Sequence, residues 1–137
     1  MSEFRKVTDS FSVAPQIGLA DLARAAEAGF TLVINNRPDG EVPDQPTSAE
    51  VEAAAKAAGL DYAHIPVRGA PTPEQVEAER GALAGAKGPV LAFCRSGTRS
   101  IVTWSLGEAG AGSRSRDELV RLGEAAGYDL SNVLANG

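Results

Sequence analysis

Cys94 is the only cysteine in the chain, and Arg99 follows it after Arg95, Ser96, Gly97 and Thr98. A thiol, a glycine-containing turn and a guanidinium at this spacing suit nucleophilic attack on a small oxyanion. Val90-Leu91-Ala92-Phe93 reads as a short buried strand running straight into the cysteine, and a helix-like stretch comes after the turn. In such a strand-turn-helix the amides of residues 95 to 99 can converge on one point, and the helix N-terminus adds its dipole. The same field stabilises a thiolate. Gly97 lets the backbone curl without a side chain in the way. Arg99 can return its planar fork over the pocket and grip two oxygens. Ser100 is placed to donate a hydrogen bond to the Cys94 sulfur. Cys94, Arg99 and Ser100 are therefore the expected catalytic residues, with Arg95, Ser96, Gly97 and Thr98 binding substrate. A lone cysteine behind a core strand is commonly buried and inert. The polar run that follows this one argues for function.

Composition narrows what else the chain can do. Eighteen acidic against 13 basic residues leave a net charge of -5, which disfavours nucleic acid and an anionic membrane as partners. The expected partner is a small anionic substrate. No stretch approaches the ~20 apolar residues of a membrane span, and the N-terminus lacks the apolar core of a signal peptide. A single cysteine allows no internal disulfide and suits a reducing cytoplasm. One cysteine and one histidine, His64, exclude cysteine-cluster and multi-histidine metal sites, and no cofactor is expected. His64 lies in an apolar stretch and reads as core or strand-edge packing rather than a base. Arg37 reads as a brace for Glu41 and Trp104 as packing, while Arg68 and Arg95 sit where they would line the mouth of the site.

The elements that must position the loop are legible along the chain. A length of 137 residues fits one domain, 1–137, with residues 1 to 10 polar and loosely held. Phe11–Ala14 alternates as a short strand. Leu19, Leu22, Ala23 and Ala26 fall at helical spacing, and Gly29 stops that helix. Thr31–Ile34 is a buried strand opening into a proline-stiffened loop, 36 to 46. Thr47 with Glu50 makes a capping box for an alanine-rich helix ending at Gly59. Tyr62–Val67 is a further strand. Thr72 and Gln75 box the start of a helix to about Ala84, with Pro73 in its first turn. After the loop, Ile101, Val102, Ser105 and Leu106 line one face of a helix ending near Gly110. Ser115 and Glu118 cap a last helix carrying Leu119, Leu122 and Ala126. Strands alternating with helices predict an α/β, three-layer fold: a mostly parallel central sheet flanked by helices. Ligands then sit beyond the carboxyl ends of the strands, where Cys94 lies.

Residues 94 to 100 resemble the active-site loop of single-domain rhodaneses, which are sulfurtransferases. They also resemble the cysteine-phosphatase signature of Cys, five residues, Arg, then Ser or Thr, but only four residues separate Cys94 from Arg99 here. In the related families the shorter loop goes with attack on sulfur. Gly29 to Arg37, Ile65-Pro66-Val67 and Pro89 to Cys94 resemble the small dual-specificity phosphatase layout. With Arg37-Pro38-Asp39-Gly40-Glu41 included, residues 11 to 110 resemble the phosphatase-like domain of the beta-lactamase-hydrolase-like proteins, the former DUF442 family. That resemblance implies a cysteine-phosphatase-like fold, and members of the family have been labelled both phosphatases and sulfur transferases.

The two chemistries ask for different acids. Phosphatases of this type use an Asp on a nearby loop to protonate the leaving oxygen. The matching segment, Val67 to Glu74, has none. Glu74 could substitute, although a carboxylate in the first turn of a helix is favoured there in any case. Asp39 and Glu41 are alternatives if the 36 to 46 loop folds over the pocket. Phe93 stands where phosphatases usually carry a histidine. Sulfur transfer needs no acid, because sulfite or a thiolate leaves as an anion. On these grounds the sequence favours sulfur transfer through a Cys94 persulfide, and the two resemblances imply thiosulfate, a persulfide or a phosphate ester as the substrate. Phosphomonoester hydrolysis through phosphocysteine is the alternative, and a non-catalytic anion- or partner-binding module the third reading.

Overall fold

The computed structural model describes residues 3–134. In chain order the elements are β1 (Arg5–Thr8), β2 (Phe11–Ala14), α1 (Asp21–Glu27), β3 (Leu32–Asn35) and α2 (Ser48–Ala57). They continue with β4 (Asp61–His64), α3 (Pro73–Ala84), β5 (Val90–Phe93), α4 (Thr98–Ala111) and α5 (Arg116–Ala126). The sheet order is β1-β2-β5-β3-β4. β1 runs antiparallel to β2, and every other pairing is parallel.

β5 is the middle strand, paired with β2 on one side and β3 on the other. All four of its residues are buried, which is why it reads as an unbroken apolar run. Successive side chains go to opposite faces. Leu91 and Phe93 join Val33 under Leu22 and Ala25 of α1 and Val51 and Ala55 of α2. Val90 and Ala92 join Leu32 and Ile34 on the other face, beneath Ile101 and Trp104 of α4 and Leu119 and Ala126 of α5. Trp104 stacks on Phe11 with ring centroids 5.2 Å apart, a packing role as expected. Helices on both faces of a mostly parallel sheet are the expected three-layer α/β architecture. The capping boxes at Thr47–Glu50 and Thr72–Gln75 form, and Ser115 caps α5.

Three expectations need correction. The N-terminal segment is not loose over Arg5–Thr8, which pairs with β2 and buries Val7; residues 1 and 2 lie outside the described residues. A strand with one buried apolar side chain on the edge of a sheet leaves little pattern to read. Leu19 precedes α1 and is 41% exposed, so that helix buries Leu22 and Ala25 instead. β4 ends at His64 rather than Val67. Pro66 has no N–H to continue the ladder, yet the Ile65 and Val67 amides still donate to the Asn35 and Asn36 carbonyls at 2.9 Å each.

Candidate active site

Three neighbouring strands end at one place. β5 delivers Cys94, the chain after β3 delivers Arg37 and Glu41, and the chain after β4 delivers the Val67 carbonyl. Cys94 follows Phe93 directly and has no exposed surface of its own. The Gly97 amide donates to its Sγ at 3.1 Å. Gly97 is the N-cap of α4 and has φ +91°, in the left-handed region that suits glycine. The turn therefore aims both a peptide N–H and the positive end of a 14-residue helix at the sulfur.

Two groups outside the loop set the direction of its peptides. The Gln16 amide donates to the Arg95 carbonyl at 3.1 Å, and the Tyr128 hydroxyl donates to the Ser96 carbonyl at 2.9 Å. In a trans peptide the C=O and the following N–H point opposite ways. Holding those carbonyls outward turns the Ser96 and Gly97 amides inward. Burial pushes the Tyr128 phenol up, so it stays protonated and donates. Within the loop, Ser96 Oγ donates to Thr98 Oγ1 at 2.9 Å and accepts from the Thr98 amide at 3.3 Å.

Arg99 is held from one side. Its Nη1 donates to Glu41 Oε2 at 2.8 Å and to the Val67 carbonyl at 2.7 Å, and its Nη2 donates to Glu41 Oε1 at 2.8 Å. A guanidinium has five N–H donors. Subtracting these three leaves Nε–H and one Nη2–H, which share an edge of the plane and can still take two oxygens. Arg37 fixes Glu41 in turn: its Nε donates to Oε1 at 2.8 Å and its Nη1 to Gln16 Oε1 at 3.0 Å. The Arg37 side chain is 4% exposed. It braces Glu41, as the sequence suggested. The hydrogen bond from Arg99, reinforced by Arg37 and only partly opposed by burial, pulls the Glu41 carboxyl down from 4.5 to about 2. Glu41 in return pushes the Arg99 guanidinium up, with Cys94 adding a smaller contribution.

The candidate acids fare poorly. Glu41 is a carboxylate near neutral pH and has no proton to give. Asp39 Oδ1 accepts from the Ser48 amide at 2.8 Å, serving the start of α2 rather than the sulfur. Glu74 is exposed in the first turn of α3. The hydrogen bond expected from Ser100 to the Cys94 sulfur is not made. Ser100 Oγ is buried with no hydrogen-bond partner among the described residues. Arg68 and Arg95 are exposed. His64 Nε2 donates to the Arg37 carbonyl at 2.9 Å and so pins the Arg37 loop to the edge strand.

Two residues that hold the loop, and one buried acid away from it, escaped the sequence reading. Gln16 and Tyr128 reach the loop from opposite ends of the chain, with no motif around either. Glu79 is 1% exposed; Asn36, next to Arg37, donates to its Oε1 at 2.8 Å. Burial pushes the Glu79 carboxyl up to about 7, against a smaller opposing pull from Asn36.

Residues 3–111 match the family model described as "Beta-lactamase hydrolase-like protein, phosphatase-like domain". The chain belongs to this family. A beta-lactamase hydrolase-like protein of Agrobacterium fabrum is 39% identical over 126 residues, covering 91% of the chain but only 29% of the relative. The chain thus spans under a third of that relative's length. A crystal structure of a candidate phosphatase from Neisseria meningitidis is 34% identical, covers 93% of this chain and 91% of its own, and superposes with a TM-score of 0.83. The crystal structure of Tk-PTP in its active form shares the fold at a TM-score of 0.70 and 19% identity, covering 96% of this chain and 93% of its own. Family and fold are therefore phosphatase-like, as the resemblance implied. They favour the phosphatase reading over sulfur transfer, which the short loop had put first. No helix among the described residues is long and apolar enough to cross a membrane.

Proposed function

We propose that the chain is a cysteine-dependent phosphatase, acting as one phosphatase-like unit over residues 1–137, whose substrate is a small phosphate ester. The carrying observation is the Gly97 amide on the Cys94 sulfur at the N-terminus of α4, with Arg99 braced beside it. The Cys94 thiolate attacks phosphorus. An S–P bond forms as the P–O bond to the leaving group breaks, and the leaving oxygen keeps the electron pair. The loop amides and the open edge of Arg99 hold the charge on the transferring group. Water then attacks phosphocysteine, releasing phosphate and restoring the thiolate.

No carboxylic acid stands ready, since Glu41 is held ionised. The reaction therefore suits leaving groups that depart as stable anions, such as phenolates or carboxylates. Cys94 is fully buried, so the loop must yield by a small movement for the sulfur to be reached. A nucleophile that must stay reduced suits a reducing compartment.

One observation favours a second reading. The loop has four residues between Cys94 and Arg99, and no acid serves it, as sulfur transfer would allow. There the thiolate attacks a sulfane sulfur, the S–S bond breaks, sulfite leaves, and a thiol or cyanide later takes the sulfur from the Cys94 persulfide.

Parallel assays decide. With p-nitrophenyl phosphate, and separately with thiosulfate plus cyanide, wild type is compared with Cys94→Ser. Phosphate release that vanishes in the variant is the expected result. Thiocyanate formation without phosphate release would move the assignment to sulfur transfer. Neither product, with phosphate still binding, would leave a binding module.

A further inference from the structure

A cavity of ≈ 410 Å³ opens beside the loop, between the segment after β4 and the outer face of α4. Ala70 and Pro71 form one wall, Val102 and Leu106 another, and Val133 and Arg99 complete it. Its volume falls in the range of small-molecule sites. Val102 and Leu106 stand four apart on α4, so they share one helix face; both are only partly buried, whereas Ile101 and Trp104 face the core. Val133 is 37% exposed. It lies beyond residue 111, where the match to the family model ends.

Among the described residues lining the cavity, Arg99 alone carries a charge. Arg99 belongs to both places: three of its donors face Glu41 and Val67, and its remaining edge is the anion grip. Thr98, at the first position of α4, also lines the cavity. An oxyanion held on the loop therefore has its substituent within reach of an apolar space with no second charge to meet. A sugar or a second phosphate would find aliphatic walls and no partners for its polar groups.

We infer that this cavity receives the apolar body of the substrate, so that the chain selects aryl or similarly apolar phosphate esters over small polar ones. This rests on the phosphatase reading for the reaction, but the cavity's preference is a matter of binding and can be read separately. The loop and Arg99 fix the anionic head. The walls from α4, residues 70 and 71 and Val133 take the hydrocarbon.

The test is calorimetric titration of Cys94→Ser, which cannot turn over, with 1-naphthyl phosphate and with inorganic phosphate. Burying most of a naphthyl ring should make the ester bind at least about tenfold tighter than phosphate. Leu106→Trp should fill the cavity and erase most of that ratio. Because Leu106 also packs against the core, Ala70→Trp on the exposed wall provides an independent variant with the same expected loss. Equal affinity for the two ligands, or a ratio untouched by both substitutions, overturns the inference. So does a wild-type dimer in sedimentation whose dissociation, rather than naphthyl binding, is what Ala70→Trp changes. Preference for the naphthyl ester without phosphate release from wild type would overturn the phosphatase reading alone. Release without preference would overturn the cavity assignment alone.

Discussion

The Glu41 carboxylate and the Arg99 guanidinium meet end to end, each terminal nitrogen donating to one oxygen at 2.8 Å. This bidentate pair orients the guanidinium plane and leaves its other edge for an oxyanion. Glu41 is thus a positioning residue. Glu41→Gln keeps one acceptor but loses the charge and should lower kcat/KM by about tenfold. Glu41→Ala, which leaves Arg99 held only by the Val67 carbonyl and Arg37 buried without its carboxylate, should cost about 100-fold, near the loss from removing a transition-state donor outright. Because phosphate affinity reports the same grip, it should fall in parallel; a change in stability with unchanged phosphate binding would refute the positioning role.

The same pair fixes an acid limb. The Glu41 carboxyl lies at about 2 in the fold, against an ordinary 4.5. A lowered carboxyl contributes stability above the ordinary value and loses it as pH falls through the folded one. Denaturation at pH 5, 4, 3 and 2 should show wild type losing stability over that window more steeply than Glu41→Gln. With the side chain 25% exposed, solvent and salt screen part of the effect.

Glu79 has the opposite sign. Its folded carboxyl is held up to about 7, while the unfolded chain releases the proton near 4.5. Its stability contribution is complete below 4.5 and is lost as pH rises toward 7, with no further change above. The full swing is roughly 3 to 4 kcal/mol at ~1.4 kcal/mol per pKa unit. Glu79 Oε2 and Asn36 Oδ1 are both buried acceptors without partners among the described residues. Glu79→Gln supplies a neutral group with its own donor, so its urea midpoint should stay flat from pH 5 to 7.5 where that of wild type declines.

Tyr128 should matter to a loop it does not belong to. Tyr128→Phe removes the hydroxyl that holds the Ser96 carbonyl outward, at a cost of about 1 kcal/mol in stability. Released from that hold, the Gly97 amide should wander from the sulfur, and kcat should fall more than KM rises. Equal kcat in Tyr128→Phe and wild type would show that Gln16 alone sets the loop.

Gly97→Ala should be worse. The backbone there is left-handed, and a Cβ would overlap the Tyr128 hydroxyl. A loss of about 2 kcal/mol is expected from strain and overlap together. Adding Tyr128→Phe should recover part of the loss in thermal denaturation, because the two residues compete for one space.

Much of this protein could be read from local pattern. The run Val90 to Phe93 is apolar at every position because a middle strand is covered on both faces, and Thr47 and Thr72 announce their helices by contacts made within four residues. Cys94, Gly97 and Arg99 are legible because a turn into a helix brings them together whatever the rest of the chain does. β1 was missed because one buried valine on an edge strand carries no period. The preference between chemistries had a related basis: loop length and a missing aspartate are local facts, whereas family and fold, which favour the phosphatase reading, are properties of the whole chain.

The sequence by itself determined which residues form the turn from Cys94 to Arg99 and that strands and helices alternate around it, since those follow from side-chain type and spacing over a few residues. Tertiary structure alone decided what each functional group faces. Glu41 reaches Arg99 across 58 positions and Tyr128 reaches Ser96 across 32, and no short-range signal encodes either meeting. The cavity beside Arg99 belongs to the same class, because its walls come from the segment after β4, from α4 and from the C-terminal stretch, which share a place only once the sheet has ordered them.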